Sequence, residues 1–312
     1  MTWTLVALLG YFFAALSSVF DKYLLSDRIP VPAVFAFLVS LFSLVPMVLI
    51  PFGFQYDGWH TTWTLLLSGV LFVYGLVALY TAVKEHEISR VAPLVGTVIS
   101  LVAFLAVFLP FMPGEPTVEI WYIVALVLLI AGGLLISFDL PLHKGEHISK
   151  YVALAGVLMG VSMLLLKEGY VGSHFVSGII WSRLGMFLAG LSLLFVPTFR
   201  EAIIAQFRGF KHRSERALGT TLLFLLNKTS AGVATFLIAY AIKIGSLSFV
   251  QALSGMQYVF LLAMTFPLAL RYPEVFGEKL HFWDWFQKVT AVIIIGVGLW
   301  LATKSGVALL LG

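Results

Sequence analysis

The sequence predicts an all-α integral membrane protein with ten transmembrane helices arranged as two inverted repeats of five. Three observations lead to this fold class: the composition, the number of long apolar runs, and a resemblance between the two halves of the chain. Of the 312 residues, 61% are hydrophobic and 11% are charged, and the mean hydropathy is +1.03. Because soluble domains carry about 25% charged residues, the chain is expected to lie in a membrane.

The composition also excludes several kinds of site and partner. The chain has no cysteine, which rules out disulfides, thiolate metal sites and cysteine nucleophiles. The net charge of +4 is small and the basic residues form no patch interleaved with aromatic side chains, so nucleic acid is not expected as a partner. Residues 1–10 lack the basic start and the small-residue cleavage site of a signal peptide, so the first apolar segment is expected to be retained.

Ten runs of the chain are long and apolar enough for membrane spans, since a transmembrane helix needs about 17–25 mostly apolar residues. Unbroken apolar runs indicate helices, whose backbone groups are satisfied within the segment. The predicted spans are 3–21, 31–51, 63–83, 91–111, 119–138, 150–170, 175–197, 217–242, 246–270 and 288–308.

Two other segments are not expected to cross the membrane. Segment 199–216 places aromatic and aliphatic residues on one helical face and basic residues on the other. This pattern is typical of an amphipathic helix on the anionic cytoplasmic surface of a membrane, with a basic loop as the alternative. Segment 279–288 is rich in aromatic residues and is predicted to form an interfacial belt before the last span.

The two halves of the chain resemble each other. AVKEHEISRVAPLVG (82–96) aligns with AIKIGSLSFVQALSG (241–255) at an offset of 159 residues. Gly114–Glu115 aligns with Gly277–Glu278 at an offset of 163, and DKYL (21–24) aligns with KEGY (167–170) at an offset of 146. These matches divide the chain into a first repeat, 1–145, and a second repeat, 146–312.

An odd number of spans per repeat means that the second copy enters the membrane in the opposite orientation. Inverted repeats are typical of secondary transporters, whose substrate site lies near the midplane between the repeats. An old duplication without a transport role is the alternative.

The pattern around VAPLVGTVISLVAFLAVFL and its echo SFVQALSGMQYVFLLAMTFPL, each followed by a Gly-Glu pair, resembles the EamA-type members of the drug/metabolite transporter superfamily. The resemblance covers nearly the whole chain. It implies a 5+5 inverted repeat, alternating access, and a central cavity lined by both halves. Members of the family move amino acids, nucleotide sugars, phosphorylated sugars, vitamins or drugs.

The distribution of loop charges predicts the orientation. The odd-numbered loops carry 14 lysines and arginines and the opposite loops carry three. By the positive-inside rule both termini are therefore expected outside the cytoplasm. The family is more usually drawn with cytoplasmic termini, and our prediction follows the charges.

Lys228 is the most prominent polar residue within a predicted span. It lies 12 residues after Arg216 and 15 before Lys243, or about 18 and 22 Å along a helix, which places it near the bilayer centre. An ionised lysine there costs about 2.5–3.5 kcal/mol. Three interpretations remain open: Lys228 binds an anionic group of the substrate, pairs with Asp21 or Glu168, or is neutral and exchanges a proton.

Other polar side chains also fall within the predicted spans. Arg183 either reaches an interface or faces the cavity, and Asn227 either binds substrate or joins two helices. One face of the ninth span carries three polar residues, and one face of the fourth carries Pro93, Thr97 and Ser100. The candidate substrate-binding residues are Lys228, Gln251, Ser254, Tyr258, Trp181, Arg183, Asn227, Tyr74 and Thr97.

The sequence therefore predicts a secondary-active transporter of a small polar metabolite that bears an acidic group: an amino acid, an organic acid, or a phosphorylated or nucleotide sugar. Its partners would be that solute and membrane lipids, in a monomer or homodimer of the prokaryotic plasma membrane. No catalytic motif, cofactor or metal site is found in the sequence. The alternatives are a flippase of a lipid-linked substrate, a membrane subunit of an envelope pathway, and an exporter of cationic drugs.

Overall fold

The computed structural model describes residues 2–27, 31–85, 88–106, 120–137, 150–209, 215–271, 286–287, 289–298 and 300–301. Within these ranges the fold is all-α, without a β-strand. The helices are α1 (Thr2–Asp27), α2 (Pro32–Phe42), α3 (Trp59–Glu85), α4 (Ile88–Ala106), α5 (Ile120–Ser137), α6 (Lys150–Val171), α7 (Phe175–Ser192), α8 (Pro197–Gly209), α9 (Glu215–Ile244), α10 (Leu247–Ala252), α11 (Gly255–Arg271) and α12 (Val289–Gly298).

Six apolar segments of the described chain are long enough to cross a membrane, which fits a multi-pass membrane protein. They are Trp3–Asp21, Pro32–Phe52, Trp59–Ala82, Lys150–Val171, Phe175–Phe195 and Leu222–Ile244. Four shorter apolar helical stretches are Leu94–Leu105, Ile123–Leu135, Phe249–Thr265 and Val289–Gly298. Each of these ten segments overlaps one predicted span.

Two predicted spans are interrupted. Helix α2 ends at Phe42, and a 3-10 helix, Val45–Phe52, continues the segment. Pro46 stands at the start of that 3-10 helix, because proline has no backbone N–H and fits the first turn of a helix better than its interior.

The predicted span 246–270 is also divided, into α10 and α11, by a tight turn. There the Ser254 amide donates to the Gln251 carbonyl at 3.0 Å and the Met256 amide donates to the Leu253 carbonyl at 2.9 Å. The turn brings the backbone of Gly255 close to that of Gly133 on α5. The two glycines allow this approach because neither carries a Cβ atom.

The predicted amphipathic segment 199–216 is helical over its described first part, where α8 runs to Gly209. Ile203 is buried within the apolar cluster that includes α2, whereas Arg200 and Glu201 are exposed. The described part of α8 is therefore amphipathic, and its apolar face packs on protein. Residues 210–214 lie outside the described ranges, as do Gly114–Glu115, Gly277–Glu278 and most of the predicted aromatic belt.

Helix packing joins the two halves of the chain along two extensive seams. Helix α1 packs on α9, and α6 packs on α3. Helix α4 also packs on α6, and α11 packs on α1. Hydrogen bonds cross the α3–α6 seam in both directions, from the Ser68 hydroxyl to the Ser162 carbonyl at 2.9 Å and from the Ser162 hydroxyl to the Ser68 carbonyl at 2.8 Å.

Helices α3 and α7 cross in close backbone contact. A Cβ atom added at Gly69 would overlap the Ser182 carbonyl oxygen, and one added at Gly185 would overlap the Leu66 carbonyl oxygen. The two backbones therefore lie directly against each other, a geometry that small residues permit at membrane helix interfaces.

Candidate functional site

A polar cluster joins α1 to α9 at the position of the candidate lysine. Asn227 is fully buried, and its Oδ1 accepts a hydrogen bond of 2.6 Å from the Ser17 hydroxyl. Its Nδ2 donates to Asp21 Oδ1, also at 2.6 Å. Both polar groups of the Asn227 side chain thus form hydrogen bonds to α1. This contact matches the helix-joining role, which is one of the two roles predicted for Asn227.

Lys228 lies beside this cluster, between two aromatic rings. Its Nζ is 4.6 Å from the ring centroid of Phe35 on α2 and 5.1 Å from that of Phe224 on its own helix. Each cation–π contact contributes about 0.5–2 kcal/mol, with the larger values in desolvated surroundings. Lys228 also attracts Asp21 electrostatically, although no ion pair joins the two within the described residues.

Of the two carboxylates expected as partners of Lys228, only Asp21 is near it. Glu168 instead lies with Oε1 3.7 Å from Nε2 of His60. That histidine belongs to the first turn of α3, so Glu168 faces the opposite ends of the helices from Lys228. The two rings and the electrostatic attraction of Asp21 are the contacts described for Lys228.

The depth of Lys228 differs from the prediction. The apolar segment of α9 is Leu222–Ile244, so Lys228 lies six residues from one end and 16 from the other, or about 9 and 24 Å. Asp21 is the last residue of its own apolar segment, and Phe35 is three residues from the start of another. Counted from the ends of the apolar segment of α9, Lys228 lies nearer one end than the middle.

Arg183 lies deeper than Lys228. It is eight residues after the start of the apolar segment Phe175–Phe195 and 12 before its end, or about 12 and 18 Å. Its Nη1 is 3.0 Å from Sδ of Met186, and its backbone carbonyl accepts a 3.0 Å hydrogen bond from Ser43. The hydrogen bond of the guanidinium is made to a residue of its own helix, and the interfacial and cavity-facing roles of Arg183 both stay predictions.

The two aromatic candidates lie apart from the cluster around Lys228. The Trp181 ring is 5.6 Å from that of Phe54, and its indole nitrogen is enclosed without a partner in the described residues. Tyr74 is 41% exposed, and its hydroxyl is 2.7 Å from that of Ser192 at the outer edge of the α3–α7 crossing. Tyr74 therefore joins α3 to α7, and its role in substrate binding stays a prediction.

The polar faces predicted on spans four and nine do meet. Four polar residues line a small cavity of about 10 Å³, the space of about one water molecule, between α4, α5 and the turn between α10 and α11: Thr97, Ser100, Ser254 and Tyr258. The Ser100 hydroxyl donates to the Gln251 carbonyl at 2.9 Å. The Gln251 side chain is buried and does not line the cavity, because the turn at Ser254 rotates α10 away from the predicted common face.

Two lysines that the charge count placed in loops prove to be part of the helix packing. Lys167 is 3% exposed, and its Nζ donates to the carbonyls of Ile242 and Gly245 at 2.9 and 2.6 Å. Lys243 Nζ donates to the Ser173 carbonyl at 2.6 Å. The signal that sequence reasoning missed is the position of Lys167, which falls inside the predicted span 150–170.

No metal site is formed by the described residues, where no group of three or more histidine and acidic side chains comes together. The ion pairs described at the α3–α7 end join the two halves through histidines. His174 Nδ1 is 3.2 Å from Asp57 Oδ1, in addition to the contact of His60 with Glu168. These contacts link the start of α3 and the loop before it to the end of α6 and the start of α7.

Replacing Asn227 with alanine is expected to destabilise the protein by about 2 kcal/mol, because it leaves the Ser17 hydroxyl and the Asp21 carboxylate without their partner. Thr229→Ala is the matched control, since Thr229 is exposed and bonds only to the Leu225 carbonyl of its own helix. Thermal unfolding of the purified protein in detergent compares the two. Equal melting temperatures for both variants would contradict the assignment.

Comparison with known proteins gives information on the fold. No family model matches the chain, and no curated protein matches it. A solved structure described as "Crystal structure of protein" is similar, with a TM-score of 0.63 and 13% sequence identity over 96% of this chain and 98% of that chain. At this identity the similarity shows a shared overall fold.

Proposed function

We propose that the chain is a secondary-active transporter of a small polar metabolite with an acidic group, built as a ten-helix 5+5 inverted repeat of the drug/metabolite transporter type. In this proposal the two halves rock against each other to give alternating access. Both termini lie outside the cytoplasm of a prokaryotic cell, in agreement with the loop charges.

The inverted repeat is supported by matched packing in the two halves. In the alignment of the repeats, α1 corresponds to α6 and α9 to α3, and the two extensive seams are α1–α9 and α6–α3. Asn227 corresponds to Ser68 at the offset of 159 residues, and each makes a hydrogen bond across its own seam, to Ser17 and Ser162 respectively. Equivalent helices thus make equivalent contacts.

The observation that carries the transport function is the presence of two cations well inside the ends of apolar helices of the second half. Lys228 and Arg183 lie on α9 and α7, in segments long and apolar enough to span a membrane. Cations in such positions are expensive and mark substrate or ion pathways by default. Two of them favour a solute with an acidic group.

Transport by the purified protein in liposomes tests this function. Liposomes loaded with a mixture of organic acids, amino acids or phosphorylated sugars are expected to take up the corresponding labelled solute by exchange. The double variant Lys228→Gln/Arg183→Gln should lose most of this exchange, whereas Lys150→Gln, at an exposed position on α6, should keep it. Exchange of cationic solutes alone would contradict the proposed substrate class.

A further inference from the structure

The cavity beside the turn between α10 and α11 has the size and the lining of a site for water. Its volume of about 10 Å³ reaches the space that one buried water needs. Four of the residues around it carry hydroxyl groups, Thr97 and Ser100 on α4, Ser254 in the turn and Tyr258 on α11. Cavities that stay dry are apolar, whereas buried waters lie where polar groups surround them.

Two hydroxyl groups of this cavity are spaced too widely for a good direct hydrogen bond. The Ser100 hydroxyl donates to the Gln251 carbonyl at 2.9 Å and lies 3.0 Å from the Gly96 carbonyl. Its oxygen is 3.4 Å from that of Ser254, longer than the roughly 2.5–3.0 Å between bonded hydroxyls. The Tyr258 hydroxyl lies beside the same turn of α4, since a Cβ atom added at Gly96 would be 2.6 Å from its oxygen. A water beside this long contact would complete the hydrogen bonding.

The break in the predicted span 246–270 gives a second reason to expect water here. Helix α10 ends at Ala252 and α11 begins at Gly255, and the backbone groups at helix ends lack partners within the helix. Broken helices occur at membrane depth where the backbone is buried in protein or lines a water-filled cavity, and ordered waters bond to the freed groups. Ala252, Ser254 and Gly255 all line this cavity.

We propose that this cavity binds one ordered water molecule, which bridges the hydroxyl groups of Ser100 and Ser254 and so ties α4 to the break between α10 and α11. The water accepts a hydrogen bond from Ser254 and donates one to the Ser100 oxygen, whose own proton is directed at Gln251. Buried waters make about three hydrogen bonds, and Thr97 and Tyr258 line the same space. The site belongs to the fold and is independent of the transport function.

Radiolytic labelling of the purified protein in detergent tests for this water. X-rays convert bound waters to hydroxyl radicals, which modify the side chains beside them. Tyr258 should be labelled several-fold faster than Tyr11, which is 4% exposed and donates its hydroxyl to the Val250 carbonyl at 2.7 Å. A high-resolution crystal structure should show one solvent peak within hydrogen-bond distance of the Ser100 and Ser254 hydroxyl oxygens.

A variant that fills the cavity separates bound water from bulk water. Gly133 on α5 lines the cavity, and a Cβ atom added there would meet the Gly255 Cα atom at 3.7 Å, an ordinary contact distance. Gly133→Ala should therefore fold, take up the space of the water and reduce the labelling of Tyr258 to that of Tyr11. Ser254→Ala removes one donor and should reduce the labelling in part. Gly232→Ala is the matched control, since an added Cβ atom there meets no atom within 4 Å, and it should label like the parent.

Three results would overturn the proposal: no solvent peak in the cavity, Tyr258 labelling no faster than that of Tyr11, or parent-like labelling in both Gly133→Ala and Ser254→Ala. Exchange of sodium chloride for choline chloride adds a fourth test, because hydroxyl oxygens also bind Na⁺. The melting temperature and the labelling of Tyr258 should be the same in both salts. A stabilisation by Na⁺ that Ser254→Ala abolishes would replace the water with a cation.

Discussion

Replacing Gly69 with alanine is expected to destabilise the protein by about 3 kcal/mol, the upper part of the range for overpacked interiors. The added Cβ atom would overlap the Ser182 carbonyl oxygen and lie 2.6 Å from the Met186 amide nitrogen. Both of these are backbone atoms, which no rotamer change moves away, so α3 and α7 must separate. Separation removes dispersion contacts along the whole crossing, because these contacts weaken steeply with distance.

Gly232→Ala provides the matched control for this prediction. Gly232 lies in the interior of α9, and an added Cβ atom there meets no atom within 4 Å. The same substitution should therefore stabilise the protein by about 0.5–1 kcal/mol, the usual gain within a helix. Unfolding by sodium dodecyl sulfate in mixed micelles measures both free energies. A Gly69→Ala protein as stable as Gly232→Ala would show that the crossing is not a close backbone contact.

Replacing Lys167 with methionine is expected to lower the free energy of unfolding by about 3 kcal/mol, since two buried carbonyls lose their donor and each such loss costs about 1–3 kcal/mol. Methionine has similar length and no polar group, so the change removes the hydrogen bonds without opening a large cavity. The carbonyls of Ile242 and Gly245 belong to the last turn of α9 and the residue after it, where no backbone amide of the helix reaches them.

The control for this change is Lys150→Met on the same helix. Lys150 is exposed, and its Nζ lies 5.4 Å from the ring of Tyr151. Its replacement should alter stability by less than about 0.5 kcal/mol, as for most surface substitutions. Hydrogen exchange at the end of α9 supplies a local measurement, and faster exchange is expected there only for Lys167→Met. Unchanged exchange would mean that the lysine does not hold this helix end.

The helical fold follows from the sequence because hydropathy is a local property. Each predicted span overlaps an apolar helical segment, and the interruption at Pro46 follows from the chemistry of proline. The turn at Ser254 is different, since the residues around it form a good apolar run. At this turn the backbone of Gly255 lies against that of Gly133 on α5. The two residues are far apart in the sequence, so no local sequence pattern indicates their contact.

The part of the candidate site that the sequence predicts is the part that follows from the internal repeat. Thr97 and Ser100 were paired with Ser254 and Tyr258 because the two spans correspond, and all four line one cavity. The depth predicted for Lys228 was counted from Arg216 and Lys243, and these residues do not mark the ends of the apolar segment Leu222–Ile244. The contact of the Arg183 guanidinium with Met186 lies within one turn of α7, and no polar pattern in the sequence marks a thioether as its partner.

The glycine crossing also limits how α3 and α7 can move. Rotation of either helix about its axis by one residue would bring a larger side chain into the space beside Gly69 or Gly185. A shift of either helix along its axis by one turn would do the same. The register of the two helices is therefore fixed for as long as they touch. The crossing can tilt or part only as a unit, and the backbones of Gly69 and Gly185 keep the same neighbours on the opposite helix while it holds.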